Sequence, residues 1–359
     1  MKILFAAGDV GGARAILPVA RMAERRGHKV LAHAHGTLRD EGSSGWHWLD
    51  THDIHQNSID ADIVLYATSV ADNHAIQIAS KAQQAGKPCI HVLDNWSSYS
   101  ERIERLIPDA YTVMDQLALD EALAAGVPAE ILHITGHPDL AKLSDEKNRF
   151  SGPTTAKTIL FVSEPAAQDG GVVKRGYDEA VVMKAFFSAL CSIEDRAIDV
   201  RIAPHPREDR QAVQSRANTV CAQLEPPLTF SMVSSSDVRT ALHSSSHVIG
   251  MSSILLYEAW LLGRSVLSLQ PGLKPTFTKS LSQRNGLLFH DDDKGISEAV
   301  DTWLSRNPGP ATEELVSHQN AAQSVMTLID KTVQRHAVSN VLIPTNEPNH
   351  LNSSRSSLR

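Results

Sequence analysis

A chain of 359 residues is long enough for two domains, and 42% hydrophobic with 21% charged residues is an ordinary globular composition. The formal net charge of −7 argues against a nucleic-acid binder held by phosphate contacts. Three scattered cysteines, Cys89, Cys191 and Cys221, give neither a disulfide framework nor a zinc pattern.

The N-terminal apolar run ends at Ala7, short of a signal peptide, and no stretch approaches the roughly 20 apolar residues of a membrane span. The expected location is therefore cytoplasmic, with peripheral contact at the inner face of the membrane left open. Seventeen histidines include the alternating His33 and His35 and the group His47, His52 and His55. With no HExxH or cysteine partner, they predict neither a metal nor a cofactor.

Lys2–Ala7 reads as a buried strand, followed by Gly8-Asp9-Val10-Gly11-Gly12, a helix Ala13–Arg26 closed by Gly27, and a strand Lys29–Ala34. This is the unit of a parallel doubly wound sheet, but the GDVGGA loop lacks the GxGxxG dinucleotide spacing. Strands at Asp62–Ala67, Cys89–Leu93, Asp109–Met114 and Ile131–Thr135 alternate with helices Asp72–Ala85 and Gln116–Ala125, giving an N-terminal Rossmann-like domain over 1–140. Polar residues 141–157 read as the linker.

A second series, 158–335, has strands Thr158–Ser163, Asp199–Ala203, Leu228–Phe230, His247–Gly250 and Ser265–Leu269, then Leu281–Asn285 and Gly286–Phe289. Its helices are Tyr177–Cys191, one from Glu208, Asp237–His243, Ile254–Leu262, Ile296–Ser305 and one around Glu314–Gln334. Residues 336–359 read as a disordered tail. The fold class is α/β, two Rossmann-like domains facing a central cleft.

Ligands of such sheets bind beyond the carboxyl ends of the strands. In the first half those ends carry Asp9 with Gly11 and Gly12, Thr68-Ser69, Asp94-Asn95 and Thr135-Gly136-His137. In the second half they carry Ser163-Glu164, His205-Pro206-Arg207, Ser234–Ser236, Met251-Ser252-Ser253 and Gln270-Pro271-Gly272. The second set suits a phosphate, with a histidine, an arginine, hydroxyls and a helix start. Glu258 is conspicuous in a helix of apolar neighbours, where a buried carboxylate needs a partner or a ligand. Simpler readings stand beside these: Ser252 as a helix cap with Glu258 on an exposed edge, Asp9 as a cap, His205 as a packed strand-end residue, His137 as a hinge.

The Pro-His-Pro-Arg strand end (204–207) and the Gly-x-Ser-Ser-x-x-x-x-Glu-Ala helix (250–259) resemble the GT-B glycosyltransferases and the UDP-N-acetylglucosamine 2-epimerases that share their fold. The resemblance implies that Glu258 holds the nucleotide ribose and Ser252 and Ser253 the phosphates, with His205 on phosphate or sugar. The His-Pro and Ser-Ser pairs are also similar to those of bacterial transferases that use CMP-sugars, whose acidic motif has a formal match in Asp40-Glu41-Gly42. That segment reads more simply as a helix end with a glycine cap. The 2-epimerases carry a His-Glu-Ala-Gly-like motif where this chain has Asp94-Asn95-Trp96-Ser97, and His-Arg-x-Glu-Asn where it has Ser163-Glu164-Pro165.

The leading expectation is a metal-independent glycosyltransferase for surface polysaccharide synthesis. It would move a sugar from a UDP- or CMP-linked donor to a glycan or lipid-linked acceptor. Ser163, Glu164, His205, Arg207, Met251, Ser252, Ser253 and Glu258 would bind the donor, and Gly11 and Gly12 would lie in the acceptor loop. Asp9 or Asp94 would serve as base and His205 would stabilise the leaving group. The alternatives are a nucleotide-sugar 2-epimerase and a non-catalytic relative that only binds the nucleotide sugar.

Overall fold

The computed structural model describes residues 1–50, 52, 60–67, 73–96, 98–146, 157–193, 198–225, 227–276 and 279–341. Thr68-Ser69, Ser97, His55, linker residues 147–156 and tail residues 342–359 lie outside the described residues.

Two parallel sheets organise the chain. The first contains β1 (Lys2–Ala6), β2 (Lys29–His33), β3 (His47–Leu49), β4 (Ile63–Tyr66), β5 (Cys89–Val92), β6 (Ala110–Val113) and β7 (Leu132–Ile134), in the order β3-β2-β1-β4-β5-β6-β7. The second contains β8 (Lys157–Val162), β9 (Ile198–Ala203), β10 (Ser231–Met232), β11 (His247–Gly250), β12 (Ser265–Leu269) and β13 (Leu288–His290), in the order β10-β9-β8-β11-β12-β13. Strands β4, β5, β6, β11 and β12 are buried along their whole length, as parallel strands covered by helices on both faces must be. Strand order reverses between β1 and β4 in one sheet and between β8 and β11 in the other. Those two reversals are where a doubly wound sheet opens a ligand crevice.

One apolar cluster joins the two sheets, with Leu93, Trp96 and Val113 from the first and Val162, Leu256 and Tyr257 from the second. Trp96 meets Tyr257 edge to face at 5.1 Å. A buried hydrogen-bond chain crosses the same junction. The His137 N–H donates to His318 Nδ1 (3.1 Å), His318 Nε2 meets the Tyr257 hydroxyl (3.1 Å), and that hydroxyl donates to Asp115 (3.0 Å). Arg284 of the second half pairs with the same Asp115 at 2.8 Å.

Several elements differ from the sequence reading. Strand β3 carries no apolar run and pairs only through three residues with β2, so its pattern is invisible locally. The strand expected at Leu228–Phe230 falls instead at Ser231–Met232, where pairing with Arg201 and Ile202 fixes it. Leu281–Asn285 gives way to a short 3-10 turn at Ser280–Gln283. The last helix is two, Glu314–His318 and Ala321–Val341. Its second piece returns to the first sheet, where Val325, Met326 and Ile329 pack with Ile16 and Ala20 of the Val10–Arg25 helix. Gly42 ends the Gly36–Glu41 helix in extended backbone (φ −76°), not as a left-handed cap. Its missing side chain makes room for the Trp48 ring.

Candidate functional site at the two strand-order reversals

At the first reversal the chain leaves β1 and enters the Val10–Arg25 helix. Asp9 is its N-cap, its Oδ1 accepting the Gly12 N–H at 2.7 Å. A Cβ on Gly12 would come within 2.8 Å of the Ala67 carbonyl oxygen at the end of β4. One on Gly11 would come within 2.9 Å of Asp94 Oδ2. Asp94, just past β5, therefore lies directly against the glycine-rich helix start. Its other oxygen pairs with Arg102 of the Tyr99–Arg105 helix at 2.9 Å, with side chains only 8% and 5% exposed. Burial pushes the Asp94 carboxyl above its ordinary range, and Arg102 opposes that shift. Behind the pair, His91 is wedged between Tyr66 (4.8 Å) and Tyr111 (4.7 Å), and burial holds it neutral.

At the second reversal Glu164, just past β8, reaches the turn after β11. It accepts the Ser252 hydroxyl at 2.8 Å and the Ser252 N–H at 2.5 Å. The cap of the Ile254–Leu261 helix is Ser253, whose Oγ accepts the Leu255 N–H at 3.2 Å. Met251 buries its side chain in the core and offers its carbonyl to Ser268 (2.6 Å) and Gln270 (3.1 Å). Ser163 and the His205 N–H both bond Glu208, at 3.0 and 2.9 Å, which ties the ends of β8 and β9 together. His205 Nδ1 accepts the Arg207 N–H at 3.1 Å, so its proton is on Nε2, and burial lowers its pKa to about 4. It is thus a neutral donor near pH 7. The Arg207 guanidinium is held by Asp169 at 3.1 Å, and Arg175 binds the same carboxylate at 2.9 Å.

Glu258 is 5% exposed, which rules out the exposed-edge reading. Arg239 lies 3.4 Å from it and 3.5 Å from Asp139 of the first half, so the carboxylate sits at the domain junction. Burial raises its pKa against the pull of Arg239.

The structure thus brings Asp9, Gly11, Gly12 and Asp94 together, and separately Ser163, Glu164, His205, Arg207, Ser252 and Ser253. Asp40 and Glu41 are exposed at the C-terminal end of the Gly36–Glu41 helix. Sequence reasoning missed Arg102, Arg239, Asp169 and Arg175, whose partners lie across helices and loops; the only local signal was an arginine one helix beyond Asp94. Among the described residues no group of three His, Cys, Asp or Glu side chains is placed to hold a metal, and no helix is long and apolar enough to cross a membrane.

No protein-family model and no curated protein matches the chain. Solved structures do. UDP-GlcNAc 2-epimerase from Neisseria meningitidis bound to UDP-GlcNAc superimposes with a TM-score of 0.65 at 14% identity, covering 92% of this chain and 100% of that one. The UDP-N-acetylglucosamine 2-epimerase of Rickettsia bellii gives 0.65 at 15% identity, covering 96% and 99%. HepE of Anabaena, in complex with UDP-glucose, gives 0.56 at 13%, covering 96% and 100%.

The chain has the two-domain GT-B fold.

The same matches correct the leading expectation of glycosyl transfer. The matching solved structures include UDP-GlcNAc 2-epimerases from several organisms, which favours the alternative of a nucleotide-sugar 2-epimerase. The error has a physical origin. The residues that prompted it, 204–207 and 250–259, all lie in the second half of the chain, and the residues of one half of this fold do not reveal which reaction it hosts.

Proposed function

We propose that this chain is a nucleotide-sugar 2-epimerase acting on a UDP-linked N-acetylhexosamine. The observation that carries the reading is the end-to-end likeness to 2-epimerases, which spans both sheets and the reversals that face each other. Buried Glu258 supports it as a ribose acceptor at the domain junction. The neutral His205, with its proton on Nε2, supports it as a phosphate donor.

Inversion at C2 breaks a C–H bond and re-forms it on the other face, so a base must be fixed beside the sugar. Asp94 is this chain's candidate, since it stands where the 2-epimerases carry their acidic motif. Arg102 holds one of its oxygens and the Gly11 backbone bounds the other. Asp9 shapes the same corner as the helix cap rather than as the base. Incubating the protein with UDP-GlcNAc and no acceptor tests the proposal. The expected product is the UDP-linked manno epimer, seen by proton NMR, and an unchanged sugar would refute it.

A further inference from the structure

The donors that suit a nucleotide's phosphate are already engaged by the protein itself. Strand order reverses between β8 and β11, and the turn after β11 offers the Ser252 N–H and hydroxyl at that crevice. Both point at Glu164. The next carboxylate along, Asp169, takes the guanidinium groups of Arg207 and Arg175. Two side-chain carboxylates therefore use the donors that two phosphates would use. Glu164 is almost fully buried, and its nearest cation, Arg175, is 3.9 Å away, too far for a direct hydrogen bond. Nearby, Tyr177 is bonded to Gln270 (2.9 Å), and Glu208, on the Ser163 hydroxyl (3.0 Å), has its own cation in Arg216 at 3.6 Å.

We infer that Glu164 is a built-in competitor of the substrate's diphosphate, occupying the Ser252 donors until the nucleotide sugar displaces or neutralises it. The inference rests on the nucleotide-sugar reading and adds to it the residue that sets affinity. An anion at a helix start is favourable, and charge-assisted bonds are strong, so the carboxylate stabilises the unliganded protein. The same charge opposes a diphosphate that approaches those donors. Two anions cannot share them in a buried crevice unless one leaves or takes up a proton. Burial already raises the Glu164 carboxyl above its ordinary value, against Ser252 and Arg175, so proton uptake is the easier route. The phosphates of a UDP-sugar do not titrate near neutrality, so a proton taken up on binding would report on the protein.

Calorimetric titration of the full chain with UDP-GlcNAc tests this, comparing wild type with Glu164→Gln and Glu164→Ala in buffers of different ionisation heat. Circular dichroism confirms that each variant is folded. Removing the charge should tighten binding by about tenfold or more in both variants, the effect of one charged hydrogen bond. It should also abolish the proton uptake seen with wild type. Unchanged or weaker binding in both variants overturns the inference and leaves the nucleotide-sugar reading intact. Pyrophosphate, titrated in parallel, separates the two claims. A gain for pyrophosphate with no binding of UDP-GlcNAc by any protein keeps the competitor and removes the nucleotide-sugar reading. No binding of either compound by any protein removes both.

Discussion

The two reversals solve one problem in opposite ways. Each places a carboxylate against a helix start, Asp94 at Gly11 and Glu164 at Ser252. Asp94 is locked by an arginine of its own domain at 2.9 Å, both side chains being largely buried. Glu164 is held by the hydroxyl and backbone of the turn at Ser252, with its nearest cation at 3.9 Å. A carboxylate fixed by a buried cation keeps its place, and burial that raises its pKa makes it the stronger base, which suits a group proposed to meet a sugar at a set position. A carboxylate fixed by neutral donors can give them up, which suits a place where a ligand arrives. Under the proposed function, the difference would separate a corner for chemistry from a corner for binding.

The largest expected effect breaks the first site. Arg102→Met leaves Asp94 buried without its cation and should cost about 3–5 kcal/mol. Urea unfolding reads that loss, and epimerisation of UDP-GlcNAc should vanish in whatever protein remains folded. Retained stability and turnover would remove the special standing of this pair.

The second test sharpens the binding side. Glu258→Ala should weaken UDP-GlcNAc about tenfold, the worth of a charged hydrogen bond to the ribose. Isothermal titration measures it, and uridine alone should lose as much, since the contact is to the nucleoside. An effect on the intact sugar nucleotide but none on uridine would move Glu258 away from the ribose.

The smallest effect concerns the junction between the two sheets. Burial lowers His318 to about 4 from an ordinary 6.5, and the ring is neutral while its Nδ1 accepts the His137 N–H. Below pH 6.5 the unfolded chain binds the proton that the folded one refuses, so stability should fall as pH drops from about 6.5 toward 4. His205, also lowered to about 4, contributes in the same window. In urea titrations across that range, His318→Gln should show a shallower fall than wild type. An identical slope would mean that the His318 proton plays no part in joining the domains.

Much of the fold was legible, because buried parallel strands advertise themselves as short apolar runs ending in polar turns. Twelve of the strands fall at or next to such runs, while β3, with exposed His47 and only three residues, gives no such signal. Glu258 was legible for the same reason, as a charge in an apolar helix. Its partner was not, since Arg239 lies on another helix and the Asp139 it also meets comes from the other half of the chain. The Asp94–Arg102 pair was half visible: the acid stood at a strand end, while the arginine looked like any charge on a short helix. The Ala321–Val341 helix shows an apolar face but nothing in it says which sheet it covers, and it returned to the first. The sequence leaned toward transfer because the 2-epimerase motifs are replaced at Asp94-Asn95-Trp96-Ser97 and Ser163-Glu164-Pro165, whereas the likeness of the whole fold becomes visible only in three dimensions.

The proposed epimerisation removes a proton from C2 of a UDP-linked sugar and returns one there, at the Asp94 corner. The most direct measurement is incubation with UDP-GlcNAc in D2O, followed by mass spectrometry and proton NMR of the sugar. One deuterium is expected at C2 in both epimers, at a rate that Asp94→Asn lowers by orders of magnitude. UDP-GlcNAc recovered without deuterium, from protein shown to bind it, would rule out epimerisation at C2.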